Sequence, residues 1–129
     1  MGQYKNNQRH GMGTYHMPSG EMYEGAWREG KMQGRGTYYW PNGAQYEGFW
    51  NQGRKDGYGE YTFQSGDRYC GNYVMDKREG KGKYYTNNGD IYEGPFVNNE
   101  RHGEGTYYQA SKGITKRVIF ERNKFIKAF

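Results

Sequence analysis

A block of glycine and aromatic residues recurs every 23 residues along this 129-residue chain. Each block opens with a tyrosine and has glycine two residues later, as at Tyr23 and Gly25, and a Gly-x-Gly pair follows at a constant offset. A turn glycine such as Gly43 then ends the block. A fixed period of this length is the signature of a linear repeat array, in which stacked units bury a continuous core.

The composition predicts that this core is thin and aromatic. Hydrophobic residues make up only 33% of the chain and the mean hydropathy is −1.33, values that alone would favour disorder. The 15 tyrosines, 6 phenylalanines and 3 tryptophans argue against disorder, because aromatic side chains bury a large area each. We therefore expect an ordered rod with its aromatic core distributed along its length.

The cysteine count and the charge limit the setting of the protein. The single cysteine, Cys70, excludes an internal disulfide framework and favours a reducing compartment. The chain has no apolar run of membrane-spanning length and no signal-peptide pattern, so a cytoplasmic protein is expected. Basic and acidic residues balance in residues 1–110, and the excess of +5 lies entirely in residues 111–129.

One unit of the array has the pattern of a β-hairpin. Residues 23–27 and 34–40 each alternate between aromatic or glycine and other residues, as strands do. The polar segment Arg28–Gln33 is predicted to be the hairpin loop, and Pro41-Asn42-Gly43 is a turn that leads to the next unit. The whole chain should therefore form about ten antiparallel strands.

The glycines at the repeated sites have a predicted packing role. Glycine between aromatic residues on one strand face indicates that rings lie flat over the backbone, where a Cβ would collide with them. Rings of successive units can then pack as cross-strand pairs, each contributing roughly 0.2–1 kcal/mol. The candidate structural glycines are Gly25, Gly34, Gly36, Gly48, Gly57, Gly59, Gly71, Gly80, Gly82, Gly94, Gly103 and Gly105.

These units resemble the MORN repeat (membrane occupation and recognition nexus). The shared pattern is Tyr-x-Gly-x-aromatic, then Gly-x-Gly-x-aromatic, and a closing Asn-Gly such as Asn42-Gly43 or Asn88-Gly89. The resemblance implies an all-β fold, an elongated single antiparallel sheet of consecutive hairpins. It covers residues 1–113, divided into a truncated first unit at 1–22 and units at 23–45, 46–68, 69–91 and 92–113.

The last residues depart from the repeat pattern. An insertion lengthens the turn that ends at Gly113, and apolar residues then replace glycine. We expect residues 114–129 to cap the array, with one strand at 117–121 followed by a short amphipathic turn at 123–129 that folds back over the array end. Docking of this basic tail on an acidic partner or a membrane, and self-association through the array ends, are the alternatives.

No catalytic constellation is recognisable, so the chain is not expected to be an enzyme or to hold a cofactor or a metal. The Gly-x-Gly pairs lie in strand patterns without a following helix, unlike phosphate-binding loops. Histidines His10, His16 and His102 are not grouped as metal ligands would be. The repeated glutamates, such as Glu24 and Glu47, are expected to pair with basic residues of neighbouring strands.

The predicted hairpin loops carry charges of both signs along one edge, which indicates a solvated edge and disfavours nucleic acid as a partner. The basic residues assigned to this edge are Arg28, Lys31, Arg54, Lys55, Lys77, Arg78 and Arg101.

The aromatic face is the candidate partner groove, because a one-layer sheet cannot bury both faces and exposed aromatic strips mark interaction sites. Mutual packing of these rings is the alternative interpretation. The candidates are Tyr23, Trp27, Tyr38, Trp40, Tyr46, Trp50, Tyr61, Phe63, Tyr69, Tyr73, Tyr84, Tyr92 and Phe96.

The leading functional interpretation is a non-enzymatic scaffold that binds an extended or helical segment of a partner protein. The resemblance implies a cytoskeletal setting, since proteins of this kind are frequent in cilia and flagella, including radial spokes and other axonemal assemblies. A peripheral module that binds acidic phospholipid is the main alternative. A regulatory region of a larger enzyme, such as a lipid kinase or a methyltransferase, is the third.

Overall fold

The computed structural model describes residues 2–5 and 8–129, and these residues form a single open antiparallel sheet. The strands are β1 (Gly2–Lys5), β2 (Gln8–His16), β3 (Met22–Arg28), β4 (Lys31–Tyr39), β5 (Gln45–Asn51), β6 (Arg54–Thr62), β7 (Arg68–Val74), β8 (Lys77–Tyr85), β9 (Ile91–Val97), β10 (Glu100–Arg101), β11 (Gly103–Gln109), β12 (Ile114–Glu121) and β13 (Lys124–Ala128). The described part of the chain contains no helix long and apolar enough to cross a membrane. The predicted all-β architecture is confirmed.

Consecutive strands are neighbours throughout the sheet, as expected for a chain of hairpins. Residues 2–5 and 8–129 form 13 strands rather than about ten, since the C-terminal residues supply a whole hairpin. A break at His102 also divides β10 from β11, and both of these strands pair with β9.

The turns within the hairpins from residue 23 onward are shorter than predicted. Strand β4 begins at Lys31, so the turn is the residue pair Glu29-Gly30 and not the six-residue loop Arg28–Gln33. Both turn residues have positive φ, 51° and 81°, which is the type I′ geometry that matches the twist of hairpin strands. The same geometry recurs at Asn98-Asn99 and at Arg122-Asn123.

A bulge beside each turn explains the first glycine of the Gly-x-Gly pair. Between the pairs Trp27–Met32 and Gly25–Gly36, strand β3 contributes one residue and β4 contributes three. The extra residues include Gly34, whose φ of 85° lies in the left-handed region that favours glycine. Its counterparts Gly57, Gly80 and Gly103 also have positive φ. None of these four glycines lies beneath a ring of the aromatic face, so the predicted ring-packing role is wrong for them.

The second glycine of the pair lies beneath a tyrosine ring, as the sequence predicts. A Cβ added to Gly36 would lie 2.0 Å from the Tyr23 hydroxyl oxygen and 2.3 Å from Cζ of the same ring. The ring extends along the sheet, and its hydroxyl donates to the carbonyl oxygen of Ala26 at the bulge, 3.0 Å away. Glycine thus makes room for the ring, and the ring satisfies a carbonyl that the bulge removes from regular strand pairing.

The core is a row of rings on one face of the sheet, and Tyr23, Tyr46 and Tyr69 are completely buried in it. Each such tyrosine contacts the edge of an aromatic ring on its own strand and of another in the next unit. The Tyr23 centroid lies 5.3 Å from that of Trp27 and 5.8 Å from that of Trp50. Edge-to-face packing of this kind links every unit to the next.

The C-terminal residues form a sixth hairpin, so the predicted single strand with an amphipathic turn is wrong. Strand β12 pairs with β11 and β13 pairs with β12. The turn Arg122-Asn123 keeps the repeat geometry, and this allows a second strand where only a cap was expected. Phe125 lies in β13 with 59% of its surface exposed, and Phe129 is also exposed.

The opposite face carries the glutamates, but not in the predicted ion pairs. Among the described residues, this face has the ion pairs Arg68–Glu60 and Arg117–Glu104, each at 3.7 Å. Glu47 instead lies opposite Glu60 in the strand register. The register places Lys83 opposite Glu93, but none of the ion pairs among the described residues involves Glu24, Glu47 or Glu93, so the predicted pairing of these glutamates is wrong.

Candidate partner groove

The thirteen predicted groove residues divide into two rows on the same sheet face. The first row, the core rings, is buried and consists of Tyr23, Trp27, Tyr46, Trp50, Tyr69, Tyr73, Tyr92 and Phe96. The second row, the groove rings, is half-buried and packs on the first; it consists of Tyr38, Trp40, Tyr61, Phe63 and Tyr84. Only the groove rings present substantial surface to a partner.

The groove rings form a continuous strip along the array. Centroid distances are 4.5 Å from Tyr38 to Trp40, 5.5 Å from Trp40 to Tyr61 and 4.7 Å from Tyr61 to Phe63. Phe63 then lies 5.6 Å from Tyr84. This strip crosses unit boundaries, so it offers one extended surface rather than separate patches.

Acidic residues of the preceding turns fix the tyrosines of this strip. The Tyr84 hydroxyl donates to Asp67 at 2.9 Å, and Asp67 also accepts from the backbone N–H of Asn87. Burial and this hydrogen bond raise the pKa of Tyr84 to about 12. Tyr38 and Tyr107 donate in the same way to Glu21 and Asp90.

One tyrosine lacks this support. Ala44 occupies the position that Glu21, Asp67 and Asp90 hold in the other units. Tyr61 accordingly has no acidic acceptor among the described residues, and burial alone raises its pKa.

Three basic side chains lie over the rings. Lys55, Arg78 and Arg101 pair in the strand register with Trp50, Tyr73 and Phe96, so they are on strands facing the groove. The prediction that they lie in solvated loops is wrong, because the hairpin turns have only two residues. Sequence reasoning missed these residues as site candidates, although their shared repeat position was visible.

The cations are held by contacts to rings and to the next turn. The Arg101 guanidinium carbon lies 4.2 Å from the Phe120 ring centroid, and that of Arg78 lies 5.5 Å from Phe96. These distances are within cation–π range. The Arg101 Nε donates to the Asn123 side chain at 2.7 Å, and an Arg78 terminal nitrogen donates to the Asn99 carbonyl.

Burial sets the electrostatics of these cations. Desolvation lowers the pKa of Lys55 and that of Arg101 from their ordinary values. The Lys55 Nζ atom lies 4.0 Å from the Asp76 Oδ1 atom. Within the described residues, no carboxylate oxygen comes within 4.0 Å of Arg78 or Arg101, so these two arginines carry unpaired charge at the groove surface.

Two adjoining hollows open at this end of the groove. The first has a volume of about 280 Å³ and lies between Arg78 and Arg101, with Phe63 and Tyr84 in its wall. The second has a volume of about 470 Å³ and continues past Arg101 toward the C-terminal hairpin. Together they extend the aromatic strip into a region that is both cationic and concave.

The described residues provide no evident catalytic chemistry. No group of three or more His, Cys, Asp or Glu side chains in residues 2–5 and 8–129 is arranged to hold a metal ion. Burial and a hydrogen bond to Glu60 raise the pKa of the Cys70 thiol to about 11, which disfavours the nucleophilic thiolate. The arrangement of rings and cations is suited to binding.

Comparison with known families agrees with this geometry. The model of the MORN repeat matches residues 1–22, 23–45, 46–68, 69–91 and 92–114. No curated protein matches the chain in a sequence search. MORN repeats are in general non-catalytic modules that bind proteins or lipids. The five consecutive matches show that this chain belongs to the MORN-repeat family.

Proposed function

We propose that this protein is a non-enzymatic scaffold whose aromatic groove binds a segment of a partner protein. The observation that carries the proposal is the strip of half-buried groove rings, from Tyr38 to Tyr84, above a fully packed core. The core rings already link the units, so the groove rings are available for a partner. Contiguous exposed aromatic surface of this kind is typical of protein interaction sites.

The groove also has the stiffness that a binding platform needs. The ring contacts continue from unit to unit, and the turns at Gly53, Asp76, Asn99 and Asn123 each donate a backbone hydrogen bond to the unit before, as Asp76 does to Lys55. A preorganised surface loses little conformational entropy when it binds. We place this scaffold in a cytoplasmic, cytoskeletal assembly, with the ciliary or flagellar axoneme as the proposed setting, on the basis of the family resemblance.

Binding to acidic phospholipid is a second candidate, and the C-terminal hairpin favours it. Strands β12 and β13 carry Lys116, Arg117, Lys124 and Lys127, all exposed. Apolar side chains at the same end, including Phe125 at 59% exposure, could enter a membrane interface. Lys116 and Phe125 also line the hollow that continues from the groove, whereas Lys124 and Lys127 lie outside it, so substitution of these two lysines tests the lipid candidate independently of the groove.

The experiment compares capture of partners from ciliated-cell extract by matched variants. The double variant Trp40→Ala/Phe63→Ala removes groove rings, and Met12→Ala/Tyr58→Ala removes side chains that are 63% and 56% exposed on the other face. Proteins retained by the wild type and the control, but lost with the groove variant, support the proposal. Identical capture by all three folded proteins would contradict it.

Liposome co-sedimentation separates the lipid candidate. Binding to phosphatidylserine vesicles that weakens with salt, and that is lost in Lys124→Gln/Lys127→Gln, would assign lipid binding to the hairpin. Absence of vesicle binding at low salt would remove this candidate.

A further inference from the structure

We infer that the groove recognises an acidic protein segment, with Arg78 and Arg101 as the binding sites of its carboxylates. The distance between these carboxylates matches that between equivalent positions of two successive units. This inference rests on the proposed function, because it names the chemistry of the segment that the groove rings would hold. It concerns the two hollows and the cations around them, which the ring strip alone does not explain.

Charge complementarity is the first argument. Arg78 and Arg101 face a concave surface and have no carboxylate within 4.0 Å among the described residues. Asp90 lines the second hollow, and its oxygens accept from the Tyr107 hydroxyl and from the Ala110 backbone rather than from an arginine. The Nε atom of Arg78 is buried without a hydrogen-bond partner. A carboxylate from a partner would supply the missing charge.

The surroundings of the arginines strengthen this preference. Aromatic rings lie beside each guanidinium group. The Arg78 guanidinium carbon lies 5.8 Å from the Phe63 ring centroid, and that of Arg101 lies 5.9 Å from the Tyr92 ring centroid. Low polarity next to a charge strengthens its attraction for an anion. The asparagines Asn99 and Asn123 orient the guanidinium groups from the turn side. Arginine held in this way is suited to charge-assisted hydrogen bonds with a carboxylate.

The spacing of the sites restricts the partner's conformation. Arg78 and Arg101 occupy the same position in successive units, two strands apart, which is roughly 9.5 Å at the usual distance between strands. A polyproline II segment places every third residue on one face at about 9.3 Å. An α-helix returns to one face after seven residues, at about 10.5 Å. A β-strand repeats on one face at about 6.6 or 13 Å and fits poorly.

The repeat itself supplies a neutral replacement for these arginines. Met32 holds the corresponding position in the unit at 23–45, opposite Trp27, and Phe125 holds it in the C-terminal hairpin. An apolar side chain is therefore compatible with the fold at this position. The substitutions Arg78→Met and Arg101→Met should remove the charge while the sheet is retained.

The test measures binding of fluorescent peptides by anisotropy. One peptide repeats Pro-Pro-Glu, and a control of equal composition has its glutamates contiguous. A second pair consists of alanine-rich helices with glutamates either seven residues apart or on opposite faces. The proteins are the wild type, Arg78→Met/Arg101→Met, and the control Arg54→Met/Lys77→Met, which removes equal charge from exposed sites one residue before the groove cations.

We expect one of the two spaced peptides to bind both the wild type and the Arg54→Met/Lys77→Met control at least about tenfold more tightly than its unspaced counterpart does. The same spaced peptide should bind Arg78→Met/Arg101→Met at least about tenfold less tightly than it binds the wild type. No preference between spaced and unspaced peptides, or equal losses in both double variants, would overturn the inference. If Trp40→Ala/Phe63→Ala abolishes partner capture while Arg78→Met/Arg101→Met leaves it intact, only this inference fails. The reverse result leaves the arginine sites and removes the proposed role of the ring strip.

Discussion

Two tryptophans on the same face of the sheet show how this fold separates its core from its groove. Trp50 is 5% exposed, lies 5.1 Å from the ring of Tyr46 and donates its indole N–H to the Gly36 carbonyl at 3.1 Å. Trp40 is half-buried and packs on Tyr38 and Tyr61 at the open surface. The core row rests directly on glycine-bearing strands, and the groove row rests on the core row. Sequence position within the repeat therefore decides which ring is buried in the core and which reaches the surface that we propose to bind a partner.

The C-terminal hairpin shows what happens when the core row ends. Lys116 occupies the site of the repeated tyrosine. The two glycines that lie opposite each other beneath that tyrosine in the other units are replaced here by Val118 and Ala128. The bulge in this hairpin adds one residue rather than two, and no glycine is present. Tyrosine and glycine are thus lost together, which indicates that the glycines are required by the ring.

The largest effect is expected from Gly59→Ala. The new Cβ would lie 2.2 Å from the Tyr46 hydroxyl oxygen and 2.4 Å from two ring carbons, so the ring must leave its site. We expect a loss of about 3 kcal/mol or more in the free energy of unfolding, measured with urea.

The exposed Glu47 on the other face is the control, and Glu47→Ala should change stability by less than about 0.5 kcal/mol. The cost of Gly59→Ala should shrink in a Tyr46→Ala background, because the colliding ring is then absent. Strict additivity of the two substitutions would show that the glycine is needed for another reason.

Removing a groove hydroxyl should have an intermediate effect. Tyr84→Phe loses the bond to Asp67 and should cost about 1.5 kcal/mol, whereas Tyr61→Phe has no such bond and should cost less than about 0.5 kcal/mol. The pKa of Tyr84 is raised to about 12, so this contribution is complete below pH of about 10 and is lost as pH rises through about 12. Equal costs for the two variants would contradict the assigned role of Asp67.

The smallest effect is expected at the hairpin turn, whose geometry is the same in the C-terminal hairpin and in the internal units. Arg122 has a φ of 49°, and asparagine tolerates this left-handed conformation better than arginine. We expect Arg122→Asn to stabilise the protein by about 0.5 kcal/mol in thermal unfolding. The corresponding site in the last internal unit is already Asn98, so Asn98→Arg should have the opposite sign.

The repeat period was enough to predict the single antiparallel sheet, because strand alternation and turns follow from spacing alone. It did not separate glycines beneath rings, such as Gly36, from bulge glycines such as Gly34, because that difference depends on φ. The sequence did not place Lys55, Arg78 and Arg101 on the groove face of the sheet. The face that they occupy depends on a bulge, which gives β4 two more residues than β3. Positive φ at Glu29 made the turn shorter than its polar composition suggests. The second strand of the C-terminal hairpin was not predicted, because Lys116 and Val118 replace the tyrosine and the glycine by which the repeat is recognised.

The most direct test of the separation between core and groove compares Trp50→Ala with Trp40→Ala by urea unfolding. The residues are chemically identical and lie on the same sheet face, so only their row differs. We expect Trp50→Ala to cost at least about 3 kcal/mol, as for a fully buried ring, and Trp40→Ala to cost less than about 1.5 kcal/mol. Equal losses would show that the half-buried rings belong to the core, and would contradict the assignment of a free groove.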